Sequence, residues 1–284
     1  MVHKRGAMNK IRGLSKYHMS MTEDLNIRSN KFVIIFANNC NIIISNTMER
    51  IEKGQIVLFE RNINITLKIT KFTDNAPYEY IELEKEDTDN VLKIMEPMYS
   101  LSQPDTIPCD LVKRIFIIDD DITAHYLFDK IKQNKNIRLK AYEIACLLSM
   151  TEEVDKVFVS LARSATLLFC DKIRKLIESD TAKKWQLSLI SDEINISEVA
   201  IRKKLENEQT SFYQILLDVR MQKAAKLILK NDLQIGKISK LVGISSVSYF
   251  IKVFKTYYGV TPKNYFSYHK KIIFNDFRKL SETR

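Results

Sequence analysis

Residues 243–262 read "GISSVSYFIKVFKTYYGVTP", and this stretch decides the fold of the C-terminal half. Gly243 supplies a turn, Ser246 is a helix N-cap residue type, and Phe250, Val253 and Phe254 then recur at helical spacing. Those three hold the helix to a core and leave Val247, Ser248, Ile251 and Lys252 on the outward face. Gly259 and Pro262 close the run.

The same outline occurs earlier, in "SDEINISEVAIRKKLENE" at 191–208. Aligning Ser197 with Ser246 places Ile201 on Phe250, Leu205 on Phe254 and Lys203 on Lys252. Asn195, a type that tolerates the left-handed conformation, stands in for Gly243. The outward face of this first copy is Val199, Arg202 and Lys203. Each copy is therefore expected to be a helix-turn-helix, with second helices at Ser197–Glu208 and Ser246–Tyr257. Between them, "SFYQILLDVRMQKAAKLILKND" reads as one long helix whose apolar side changes. Phe212, Ile215, Leu216 and Val219 cluster on one side, while Met221, Ala224, Ala225 and Ile228 cluster on the opposite one. A helix shared by two subdomains needs that switch.

Charge follows the same division. Residues 1–165 hold 23 Lys+Arg against 23 Asp+Glu, whereas residues 166–284 hold 22 against 12, so the whole excess of +10 is C-terminal. A polyanion partner is implied, nucleic acid first. A basic module for an anionic membrane surface or a protein partner is the alternative that charge alone leaves open. The longest purely apolar run, Phe32–Ala37, is far short of a membrane span, and no apolar segment follows the basic start "MVHKRGAMNKIRG". A cytoplasmic protein is expected. Cys40, Cys109, Cys146 and Cys170 are scattered among apolar neighbours and read as buried, reduced thiols. His3, His18, His125 and His269 are equally dispersed, so no metal, cofactor or enzymatic centre is expected.

The N-terminal half reads differently. Residues 27–85 carry β-branched runs, and "INITLKI" alternates as a half-buried strand does. From Asp87 the pattern becomes helical, with "PCDLVKRIFII" and "DDDITAHYLFDKI" as short helices and Asp119–Asp121 as capping acids. In "IRLKAYEIACLLSM", Leu139, Tyr142, Ala145 and Cys146 share a face, and a homodimer through the helices of 125–165 is an expectation.

The C-terminal pattern resembles the DNA-binding domain of the AraC/XylS family of bacterial transcription regulators. The likeness is carried by Trp185 and Leu187, Ser197 and Ile201, Arg220 and Ala224, and then "IGKISKLVGISSVSYFIKVFKTYYGVTP". It covers residues 168–268, with Ile244 where the family usually has phenylalanine. Chain length, Asn/Ile/Lys richness and phrases such as "KLIESDTAKKW" are similar to the enteric virulence-regulator (Rns/ToxT-like) branch.

The resemblance implies an α+β protein, with a cupin-like β half-barrel and helices before an all-α domain of two helix-turn-helix units. Domains are expected at 1–26 (tail), 27–165 (effector-sensing and dimerising), 166–270 (DNA-binding) and 271–284 (tail). It implies a transcription activator of virulence genes that reads AT-rich DNA and works with RNA polymerase. Base contacts would fall to Val199, Arg202, Lys203, Val247, Ser248, Ile251 and Lys252. Phosphate contacts would fall to Lys183, Lys184, Lys237, Lys240, Lys255 and Lys263. A small anionic effector, fatty acid or bicarbonate, would meet Arg28, Lys31, Lys68 and Lys230, with Glu79, Glu82 and Glu84 opposing a carboxylate wherever they point inward.

Overall fold

A computed structural model describes residues 22–72, 77–99, 113–230 and 232–267. The N-terminal half contains β1 (Thr22–Ser29), β2 (Phe32–Phe36), β3 (Cys40–Ile44), β4 (Arg50–Ile51), β5 (Ile56–Phe59), β6 (Ile63–Lys71) and β7 (Glu79–Leu83). Helix α1 (Lys85–Met95) follows, then β8 (Ile115–Ile118) and the helices α2 (Ile122–Gln133), α3 (Ile137–Leu148) and α4 (Val154–Ala165). The strands form two antiparallel sheets, ordered β1-β6-β3-β4 and β7-β2-β5-β8. This is the expected α+β architecture.

The strand sequences explain the layering. On β6, Ile65, Leu67 and Ile69 are buried while Lys68 between them is exposed, as befits an outer sheet with one wet face. Strands β2 and β5 are apolar without alternation because both their faces are covered. Val33, Ile35, Val57 and Phe59 fill the space between the sheets. Ile34 and Leu58, paired across the ladder, point the other way into a core with Phe128 and Ile144 of the helices. Each fully buried side chain of this size contributes about 1.5–3 kcal/mol.

Some expectations need correction. Residues 115–118 form a strand, not a helix: the run "IFII" is too short for periodicity to separate the two, and pairing with Ile56–Phe59 decides it. The expected N-terminal tail is overrun by β1, which already pairs from Thr22 with Thr70. Leu139, Tyr142 and Cys146 face solvent, because α3 buries Ala141, Ile144, Leu147 and Leu148 instead. The acid run behaves as expected: Asp121 caps α2, accepting from Thr123 N and Ala124 N at 2.7 and 3.1 Å. Those backbone bonds hold its carboxyl below the usual range. His125 lies 2.7 Å from the Gly54 carbonyl through Nε2. Cys109, His3, His18, His269 and the expected C-terminal tail lie outside the described residues.

The C-terminal half is helical: α5 (Phe169–Ser179), α6 (Leu187–Ile194), α7 (Glu198–Asn207), α8 (Phe212–Lys230), α9 (Ile235–Leu241) and α10 (Val247–Tyr258). Arg61, only 7% exposed, ties it to the sheets. Its guanidinium donates to both oxygens of Asp171 at 2.8 and 2.9 Å, and to the carbonyls of Ser164 and Thr166 at 3.2 and 2.8 Å. Removing one partner of so buried a pair costs about 3–5 kcal/mol. A second junction lies at the end of α10. Gly259 (φ +80°) brings the chain so near β1 that a Cβ there would sit 3.2 Å from the Asp24 carbonyl. The next residue, Val260, packs on both the inter-sheet core and the core around α10.

Thiol chemistry tests the layering. Burial pushes the Cys40 and Cys170 thiols up to about 12, whereas Cys146 is exposed. Alkylation requires thiolate and access. Iodoacetamide at pH 8 should therefore label Cys146 in the native protein, and Cys40 and Cys170 only after denaturation, as read by peptide mass spectrometry. Native labelling of Cys40 as fast as Cys146 would contradict the placement of β3.

Candidate nucleic-acid interface

Each helix-turn-helix is built by the same local chemistry. In the first, α6 ends at Asn195, whose φ of 53° is left-handed. The Ser191 hydroxyl donates to the Ile196 carbonyl at 2.7 Å, and Ser197 Oγ accepts from Ala200 N at 3.3 Å to start α7. In the second, Gly243 makes the turn at φ +74°, the Ser239 hydroxyl donates to the Ile244 carbonyl, and Ser246 Oγ accepts from Tyr249 N at 3.3 Å. Ile201 and Leu205, like Phe250 and Phe254, are at most 1% exposed. The serine pair Ser191 and Ser239 repeats at the same 48-residue offset as Asn195 and Gly243, a signal present in the sequence and missed there.

Helix α8 joins the units by burying opposite sides in separate cores. Phe212, Ile215 and Val219 pack with Ile173, Ile190 and Ile201. Met221, Ala224 and Ile228 pack with Ile238, Phe250 and Phe254. Where the sides change, Arg220 leaves α8 to donate to the carbonyls of Thr181 and Lys183 at 3.3 and 3.0 Å. Desolvation there lowers its pKa below the ordinary arginine value. The Thr181 hydroxyl donates to the Leu241 carbonyl at 3.1 Å. The loop before Trp185 is thus bonded to both units.

The faces left over are those expected. Val199 is 73% exposed, Val247 and Ile251 are 39% and 38%, and Arg202, Lys203, Ser248 and Lys252 are all exposed. Arg202 is held by Glu198 one turn back at 2.7 Å, a surface pair worth little and easily released to another anion. Tyr249, 60% exposed, stands on the same helix start as Val247 and was not singled out from sequence. Of the phosphate candidates, Lys184, Lys237, Lys240, Lys255 and Lys263 are exposed, while Lys183 lies over the Trp185 ring at 4.2 Å.

A cavity of about 510 Å³ opens between the halves, walled by β1, β2, α5 and α8 among others. Leu25, Ile27, Val33, Leu229 and Tyr258 supply apolar wall. Of the expected effector residues, Arg28 and Lys31 line it; Lys68 and Lys230 do not, and both are exposed. Lys31 is already committed to Glu84, with Glu82 at 3.8 Å. Arg174, a cavity residue, was missed because its position on the amphipathic α5 reads as solvated surface. Among the described residues no cluster of three or more His, Cys, Asp or Glu could hold a metal ion, and no helix is long and apolar enough to cross a membrane.

The turn geometry generates a test. A Cβ on Gly243 would lie 2.7 Å from Arg220 Nη2 and 2.8 Å from the Thr181 carbonyl, in a backbone conformation that side chains disfavour. Gly243→Ala should destabilise by about 1–3 kcal/mol from the backbone alone, with the contacts adding to it. Asn195→Gly, which meets the same φ requirement, should change stability by less than about 1 kcal/mol. Thermal unfolding of the two variants measures the contrast; equal melting points would refute it.

Comparison with known proteins agrees with this geometry. The helix-turn-helix domain family matches residues 190–268. The virulence regulon transcriptional activator VirF of Shigella flexneri is 40% identical over 87% of this chain and 96% of its own length. The DNA-binding dual transcriptional regulator Rns of Escherichia coli is 36% identical, over 86% of this chain and 94% of Rns. A crystal structure of ToxT from Vibrio cholerae, described as bound to an unsaturated fatty acid, shares the fold. Its TM-score is 0.59 at 17% identity, covering 87% of this chain and 91% of ToxT. Near-full-length identity to such regulators, on a scaffold of two capped helix-turn-helix units, settles the assignment: the chain belongs to the AraC/XylS family of DNA-binding transcription regulators, in the Rns/ToxT-like branch.

Proposed function

We propose that this protein activates virulence or colonisation genes by placing α7 and α10 in successive major grooves of AT-rich promoter DNA, working with RNA polymerase in the cytoplasm. The observation that carries this reading is α8 itself: one helix, buried on opposite sides, presents two capped helices as a unit. Grooves on one face of DNA recur about every 34 Å, which rewards a fixed spacing. Arg202, Lys203 and Lys252 offer donors for guanine O6/N7, whereas Val199, Val247 and Ile251 suit thymine methyls. With few donors on α10, groove shape and bending carry much of the specificity. The lysines at 183, 184, 237, 240, 255 and 263 hold phosphates and fix register.

An anionic effector at the cavity between the halves would regulate this activity. The apolar wall and the volume, within the usual range for small-molecule sites, favour a fatty acid, with bicarbonate as the second candidate. The fatty acid in the ToxT structure supports the same reading. Homodimerisation through α2–α4 is supported by the exposed Leu139, Tyr142 and Cys146 of α3. Native mass spectrometry of protein purified without added effector reads bound ligand and oligomeric state together.

Base contact and phosphate contact separate by mutation. Arg202→Ala and Lys252→Ala should each weaken binding to a specific promoter by about 1–3 kcal/mol while changing affinity for random DNA far less. Equal loss on both DNAs would move that residue to the phosphate class. Affinity should also fall steeply with salt, and Lys240→Ala should lower the slope of log K against log salt by about one. Binding indifferent to salt between 50 and 200 mM, about the range over which counterion release acts, would sink the DNA reading.

A further inference from the structure

Several charges around the cavity are already neutralised, while Lys175 and Lys226 stand exposed on its wall. Lys31 is paired with Glu84, Arg61 is bidentate to Asp171, and Lys85 meets Asp89 at 3.3 Å. Arg174 is different. Its side chain is 8% exposed, and its nearest paired carboxylate, Asp218, lies 3.9 Å from Nη2, beyond hydrogen-bond distance. Its Nε and Nη1 are buried and have no acceptor among the described residues. Arg28 repeats the pattern: its Nε is buried without an acceptor among the described residues, and its guanidinium lies 4.9 Å from the centre of the Tyr257 ring. Both arginines line the cavity, and both act electrostatically on Tyr257, so they flank one place. Buried donors without acceptors are costly, and a planar guanidinium fork matches a carboxylate.

Resting on the effector reading above, we propose that Arg174, with Arg28 beside it, binds the carboxylate head of an aliphatic monocarboxylate. Its chain lies along the wall of Leu25, Ile27, Val33 and Leu229. The head group is thus assigned to α5 and β1, not to Lys31, which Glu84 already occupies. The site is wired to the second recognition helix. Asp218, the weak partner of Arg174, accepts from the Tyr257 hydroxyl of α10 at 2.9 Å and from Gln214 at 2.7 Å. A bound carboxylate draws Arg174 from Asp218 and leaves α10 anchored to an uncompensated acid.

Calorimetric titration of the full-length chain with octanoate, palmitoleate, 1-octanol and bicarbonate tests this. At least one of the two fatty carboxylates should bind. Arg174→Met should weaken it by about tenfold or more, the effect of losing charge-assisted bonds, while changing 1-octanol binding less than threefold. Lys31→Met should change carboxylate binding less than threefold. If circular dichroism shows Arg174→Met unfolded, Arg174→Lys decides: it keeps the charge, loses the fork and should still bind several-fold more weakly. Wild-type affinity in the folded Arg174 variant overturns the anchor, and loss in Lys31→Met instead relocates it with the effector reading intact. Bicarbonate binding without either fatty carboxylate overturns the ligand class and also spares that reading. Binding of none of the three anions overturns both.

Discussion

The architecture of the C-terminal half depends on one constraint: α8 has two dry sides, and they are not the same side. Val219 belongs to the first core and Met221 to the second, with Arg220 between them held by backbone carbonyls of the loop before Trp185. A helix with a single apolar stripe would dock on one subdomain and leave the other to swing. Here each unit grips its own half of a rigid rod, and the Arg220 and Thr181 bonds stop the units from rotating about it. The direction in which α7 and α10 face follows from that grip.

The N-terminal half meets the C-terminal helices at several described points, and these are chemically distinct. Arg61 clamps the start of α5 and the chain leading into it. Gln222 of α8 reaches Asn30 at 3.4 Å, a marginal contact on the cavity rim. Gly259 and Val260 seat the end of α10 on β1. The cavity lies among these attachments, lined by α5 of the first unit as well as by α8 and α10.

What the sequence disclosed was whatever local chemistry decides. Asn195, Ser197, Gly243 and Ser246 announce turns and caps because φ and side-chain acceptors leave few alternatives. The alternation of β6 and the changing side of α8 are periodic signals long enough to read. Ile115–Ile118 was misread because four apolar residues carry no period, and its strand is made by a partner about sixty positions earlier. The burial of Cys146 was misjudged because either stripe of α3 is apolar enough to be buried. Charges were legible as residue types and illegible as partners. Lys31 and Arg174 look equally free in a sequence, and only the fold sets Glu84 against one and leaves the other with unfilled donors.

Val260 touches the inter-sheet core and the core of the second helix-turn-helix at once. It makes the boundary between the N-terminal and C-terminal halves a continuous apolar contact at that point, rather than a hydrated hinge. Cooperativity follows contiguity of apolar packing. The second unit is thereby joined to the sheets through apolar packing, whereas the first is joined through the buried Arg61–Asp171 pair.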